Sequence, residues 1–121
     1  MANSVASLTV TDTWYDGKRE HVVGTVVLTN FNYITNGIPL VFTGQEFIKS
    51  ATAPVLVNIT GVAGFMYVWD YTNSTIRIFQ IGAIASTPFV AAPITELIGG
   101  SPLTSGVSTD TIKLYALFKL I

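Results

Sequence analysis

A single histidine, His21, stands beside Glu20 in an alternating run, and it is the one imidazole that could act as a general base. Acyl transfer would need a nucleophile on a strained strand-to-helix turn with a carboxylate behind the ring, and no serine has that setting. A lone histidine in a strand reads as structural. The acids Asp12, Asp16 and Glu20 cluster near one turn, and oxygen ligands so placed could hold a hard cation such as Ca²⁺. Asp16 before Gly17 is already explained by turn chemistry, and Asp12 and Glu20 read as exposed strand ends. Glycoside hydrolysis requires two carboxylates across a cleft, and the seven scattered acids provide no such pair. Six aromatic residues, Trp14, Tyr15, Tyr33, Tyr67, Trp69 and Tyr71, could form a platform for a sugar ring. Trp14 and Tyr15, next to a turn, are the better sugar candidates. The competing reading sends these rings into a core or a subunit contact. No catalytic residue, metal or cofactor is expected, and the chain reads as a non-enzyme.

The elements that would position these residues are strands. Two runs at 64–72 and 75–81, rich in aromatic and β-branched residues, flank Asn73 and Ser74 and predict a β-hairpin. A two-residue loop at that pair would set Asp70 opposite Arg77 and Trp69 opposite Ile78, a cross-strand ion pair that favours this register. One face then carries Tyr67, Trp69, Tyr71, Ile76 and Ile78, the other Met66, Val68, Phe79 and Ile81. Both faces are largely apolar. A hairpin of this kind is covered twice, once by its own core and once by a partner, and the face with Tyr67, Trp69, Tyr71, Ile76 and Ile78 is assigned to the partner.

Taken in order, residues 1–7 are small and polar and predict a flexible N-terminal arm before a domain over 8–121. Residues 8–14 alternate, with Leu8, Val10 and Asp12 on one face and Thr9, Thr11 and Thr13 on the other. Asp16 and Gly17 turn the chain into a second strand over 18–28. Short strands follow at 38–43 and 55–60. The stretch 82–106 is long for a loop but apolar, which argues against disorder. Residues 111–121 alternate strictly, with Ile112, Leu114, Ala116, Phe118 and Leu120 inward. Seven or eight antiparallel strands without a helical period give an all-β, single-domain β-sandwich, jelly-roll-like in its economy.

Composition narrows the function further. Only 11% of the 121 residues are charged and the net charge is −1, against about 25% charged residues in ordinary domains. Mean hydropathy is +0.55. Surface so poor in charge suits burial in an assembly. Every apolar run is broken well short of the roughly 20 residues a membrane helix needs, so no membrane partner is expected. Six scattered Lys and Arg form no phosphate-tracking patch, so no nucleic-acid partner is expected either. The start has neither the cationic region nor the apolar run of a secretory signal, which argues for use without secretion. On that expectation, the acceptor-like spacings of Asn58 with Thr60 and Asn73 with Thr75 read as strand and turn residues.

Three stretches stand out: Leu8, Thr9 and Val10 leading through Gly17, Lys18 and Arg19 to Val23, Gly24 and Thr25; Phe65, Tyr67, Trp69, Asp70, Tyr71, Thr72 and Asn73 followed by Ile76, Arg77, Ile78 and Phe79; and the closing Ile112, Lys113, Leu114, Tyr115, Ala116, Leu117 and Phe118. In these the chain resembles the small capsid decoration, or cement, proteins of tailed bacteriophages. The resemblance implies β-sandwich subunits, commonly homotrimers, that clamp adjacent major capsid proteins on the virion surface after assembly in the host cytoplasm. It carries no catalytic residues. On it, the arm at Val5 and the loop around Phe89 and Ile94 are expected to reach the capsid. A carbohydrate-binding module of a phage fibre is the alternative.

Overall fold

The computed structural model describes residues 3–42, 45, 48–50, 53–81, 94–97, 99–100, 102–103 and 105–119. Among these residues the strands are β1 (Ala6–Asp16), β2 (Arg19–Leu28), β3 (Ile38–Pro39), β4 (Leu56–Thr60), β5 (Met66–Asp70), β6 (Thr75–Ile81), β7 (Ile94–Glu96) and β8 (Ile112–Lys119), with a helical turn, α1 (Ser105–Ser108). They form two sheets. One runs β1-β2-β8-β4; the other runs β3-β6-β5, with β7 also pairing β6. Among the described residues every strand pair is antiparallel, and the molecule is an all-β sandwich.

Alternation decides which side chains fill the space between the sheets. From the β1-β2-β8-β4 sheet come Val22, Val26, Leu28, Val57, Ile59, Ile112, Leu114, Ala116 and Phe118, all buried. The facing sheet contributes Tyr67, Trp69, Ile76 and Ile78. Phe42 bridges the layers, its ring edge-on to Trp69 at 5.2 Å and to Phe118 at 5.4 Å between centroids, a geometry aromatic pairs favour.

This burial corrects the face assignment at the central hairpin. Tyr67 and Trp69 are each 6% exposed and Ile76 and Ile78 fully buried, so these four belong to the protein's own core and cannot form a subunit contact. Tyr71 is exposed, in the turn, and its hydroxyl accepts a hydrogen bond from the Val57 amide at 3.1 Å. The outward face is the other one. Met66 and Val68 are 48% and 41% exposed.

The register differs too, by two residues. Trp69 opposes Ile76, Val68 opposes Arg77 and Asp70 opposes Thr75, leaving a four-residue loop at 71–74. A two-residue slip keeps every side chain on its face, which is why alternation could not detect it. The cause is the Asp70 carboxylate, which accepts from the Thr72 and Asn73 amides at 3.0 Å and from Asn73 Nδ2 at 3.0 Å. Ser74, not Asn73, takes the left-handed backbone, at φ 55. The Asn73 amide and side chain, then that of Thr72, hold the Asp70 carboxyl below its ordinary value despite some burial. Arg77 is left to pair with Glu96 on β7, at 2.7 Å.

The expected arm is also tied down over residues 3–7. Ser4 is buried; its amide donates to the Asn32 carbonyl at 2.7 Å, and its hydroxyl donates to Thr29 O and accepts from the Phe31 amide. β1 then begins at Ala6. Residues 1–2 lie outside the described set.

At the corner between β4 and β5, Tyr67 donates to Asp110 Oδ2 at 2.7 Å and the Val62 amide to Oδ1 at 2.9 Å. Burial raises the Asp110 pKa, but bonds from Tyr67 and from the Val62, Thr111 and Ala63 amides outweigh it and hold the carboxyl below its usual range. Gly61 leaves room for this arrangement: a Cβ there would collide with Asp110 Oδ2 and lie 2.6 Å from the Tyr67 ring. Gly61→Ala is therefore expected to cost about 1–3 kcal/mol, read as a lower denaturant midpoint.

Candidate interaction surface

The outer face of the β1-β2-β8-β4 sheet is built in cross-strand rows. Trp14, His21, Leu117 and Leu56 form one; Asp12, Val23, Tyr115 and Asn58 the next; Thr9, Thr25, Lys113 and Thr60 the third. Trp14 lies flat on His21, with ring centroids 4.9 Å apart and planes 5° from parallel. His21 Nδ1 is 2.6 Å from the Tyr115 hydroxyl, and Tyr115 tilts toward Trp14 at 6.3 Å. Leu56 and Trp14 are 47% and 42% exposed. Charge lies at the margin: Asp16, Arg19 and Lys119 end the sheet on one side, Lys113 flanks the rows on the other, and Asp12 stands on the edge strand β1. An apolar centre inside a polar rim is the anatomy of a protein-binding patch.

A β-bulge positions Trp14 there. Register shifts between Val10 and Asp12, so Thr11 is an extra residue, held by its hydroxyl on the Val23 carbonyl at 3.0 Å. Without the bulge, Trp14 would share the core-facing side of Leu8 and Val10. The expectation that Asp12 shares the face of Leu8 and Val10 is thereby corrected. The signal in the sequence was Asp12 itself, an acid in phase with core positions.

The sugar platform is not assembled from the six named aromatics. Tyr15 points to the opposite side of β1 from Trp14, its hydroxyl 3.4 Å from Glu20 Oε2 and its ring under Lys49 Nζ. Tyr33, Tyr67 and Trp69 are buried. Glu20 is not an exposed strand end. It is fully buried, accepting from the Lys49 and Ser50 amides at 3.0 Å each, which anchors that loop. Among the described residues no group of three or more His, Cys, Asp and Glu could hold a metal ion. The ring nitrogens of His21 meet neither a serine nor a carboxylate among them, Nε2 being buried without a partner.

Of the residues expected to reach the capsid, Val5 is exposed, 57%, just ahead of β1. Phe89 lies outside the described residues, as does the side chain of Ile94, whose backbone opens β7 opposite Ile81. A recess beside Leu40, Phe42, Pro54 and Trp69 holds about 160 Å³, below the roughly 300 Å³ at which small-molecule sites begin. Among the described residues no helix is long and apolar enough to cross a membrane. Compared with protein-family models, curated proteins and solved structures, the chain finds no match in any of the three.

Proposed function

We propose that the chain is a structural subunit that decorates a tailed-bacteriophage capsid and cements it by binding across adjacent major capsid proteins. The observation that supports this reading is the outer face of the β1-β2-β8-β4 sheet, where Trp14, Leu56 and Leu117 sit on a chain with few charges to spare for solvation. A cement protein stabilises a shell by adding buried contact area between capsomers. Each copy needs only a modest contact, because many copies act on one shell.

The test is co-sedimentation of the purified protein with undecorated capsids of the phage that encodes it. Leu56→Lys places a charge among the exposed apolar side chains of this face, on its edge strand β4, and is expected to weaken attachment about tenfold, with thermal unfolding unchanged because the side chain is exposed. Full occupancy by this variant, or no binding by the parent chain, overturns the reading. A second reading, sugar binding, is favoured only by the exposed Trp14 ring stacked on His21. It requires saturable glycan binding that Trp14→Ala abolishes.

A further inference from the structure

We infer that β1 is a self-association edge, on which a second copy of the chain adds its own β1 in antiparallel sense, so that two four-stranded sheets become one. The first support is the state of the edges. β1 ends its sheet. The Thr29 amide donates to the Val5 carbonyl, and in an antiparallel pair such bonded positions recur every second residue. Ser7 and Thr9 therefore bond to β2, while the backbone N–H and C=O groups of Ala6, Leu8 and Val10 point away from the sheet. The same alternation carried through β2 and β8 turns the Val57 amide outward on β4, and there it donates to the Tyr71 hydroxyl. No described residue does this for Ala6, Leu8 or Val10.

The second support is sequence. Exposed edges are normally guarded by charge, proline or a bulge. The bulge at Thr11 and the acid at Asp12 guard only the far half of β1, and the near half, Ala6 to Val10, has none of these devices. Pro39 stands in β3, and β5 runs into the Asp70 turn.

The third support selects the occupant. A two-fold axis through Leu8 sets Leu8 against its own copy, Ala6 against Val10 and Ser7 against Thr9. On the core side, Ala6, Leu8 and Val10 already pack against the buried cluster while partly exposed, so apolar meets apolar. On the outer side, hydroxyl meets hydroxyl. No charge is buried and no like charges face each other. The bulge then stops the pairing after Val10. The inference is independent of capsid binding, and it replaces the three-fold assembly implied by the family resemblance with a two-fold one.

Light scattering over a concentration series tests it on the full chain. The expected mass is twice the 13.0 kDa of one chain. Ser7→Lys combined with Thr9→Lys sets two like-charged pairs across the axis, and both positions are exposed. Each such pair opposes pairing, and the dissociation constant should rise about tenfold. Ser7→Lys with Thr9→Glu makes both pairs opposite in charge and should restore the dimer. As a second measurement, Leu8→Cys introduces the sole cysteine of the chain and should oxidise to a covalent dimer. A parent chain of single mass overturns the inference. So does a dimer or trimer indifferent to the double-lysine change.

Discussion

Trp69→Ala is expected to lower the free energy of unfolding by about 3–5 kcal/mol, the range for removing a large aromatic side chain from a packed core. The ring is 6% exposed, lies in edge contact with Phe42, and through Phe42 joins the β5-β6 hairpin to Phe118 on the opposite sheet. Few atoms are free to move into the space left, because Phe42 is itself held between two rings. Urea unfolding should show the midpoint falling with its slope unchanged, as for a loss of stability without a change in the surface exposed. A charged residue at position 69 should leave no folded chain at all. A Trp69→Asp variant that folds normally and merely loses its partners would return Trp69 to a subunit contact and undo the assignment of the two hairpin faces.

That assignment shows what the sequence could and could not reveal. Alternation in 111–121 identified the inward set of β8, because a strand in the middle of its sheet keeps strict period 2 from end to end; the described members Ile112, Leu114, Ala116 and Phe118 are all buried. The first turn was legible in Gly17, whose φ of 63 favours glycine. At the central hairpin the two apolar faces were legible but not which one looks inward. Both are rich in large side chains, and the deciding factor is the position of a second sheet far away in sequence.

The bulge at Thr11 and the loop at 71–74 escaped for a related reason. Each is fixed by a side chain bonding to backbone: Thr11 to the Val23 carbonyl, and Asp70 to the amides that follow it. Such bonds compete with regular ladder pairing without disturbing the hydrophobic pattern. At the candidate surface the consequence was larger, since the bulge changes the face on which Trp14 appears. Sequence named Trp14 as a recognition residue, but only the fold supplies its neighbours His21, Tyr115 and Leu117, drawn from two other strands. The charge-poor composition and the outer face now make one argument. Apolar side chains left over after the core is filled are gathered on the outer faces of both sheets, at Trp14 and Leu56 on one and at Met66 and Val68 on the other.

Glu96→Ala is expected to cost about 1–3 kcal/mol, chiefly because the buried Tyr33 hydroxyl loses its acceptor, the Arg77 pair being partly exposed and contributing less. Its carboxylate accepts from the Tyr33 hydroxyl at 2.5 Å, the Asn36 amide at 3.1 Å and Arg77 Nη2 at 2.7 Å. The Tyr33 hydroxyl in turn accepts from the Ile78 amide at 3.2 Å. One acid thus ties β7, the 33–36 loop and β6 together, and its loss orphans a buried phenol and a cation that is one-third exposed. Burial, then the bond to Glu96, raises the Tyr33 pKa, while the bond from Arg77 and that from Tyr33 hold Glu96 below its ordinary 4.5 despite its burial. A carboxyl depressed in the folded chain is protonated first in the unfolded one, so its contribution is complete above about pH 4.5 and drains as the pH falls through the folded value. Asp110 acts in the same direction from an ordinary value of 3.8. Stability measured by urea unfolding should therefore fall steadily below about pH 5, and fall again above about pH 10, where the buried Tyr33 and Tyr67 resist an ionisation that the unfolded chain allows. Glu96→Gln keeps the shape but removes the titrating charge, so its stability should fall less steeply over that acid range, with Asp110 accounting for part of the remainder. Parallel acid profiles for the parent chain and Glu96→Gln would mean that the charge on Glu96 contributes nothing to stability, and that hydrogen bonds a neutral amide can replace hold β7 in place.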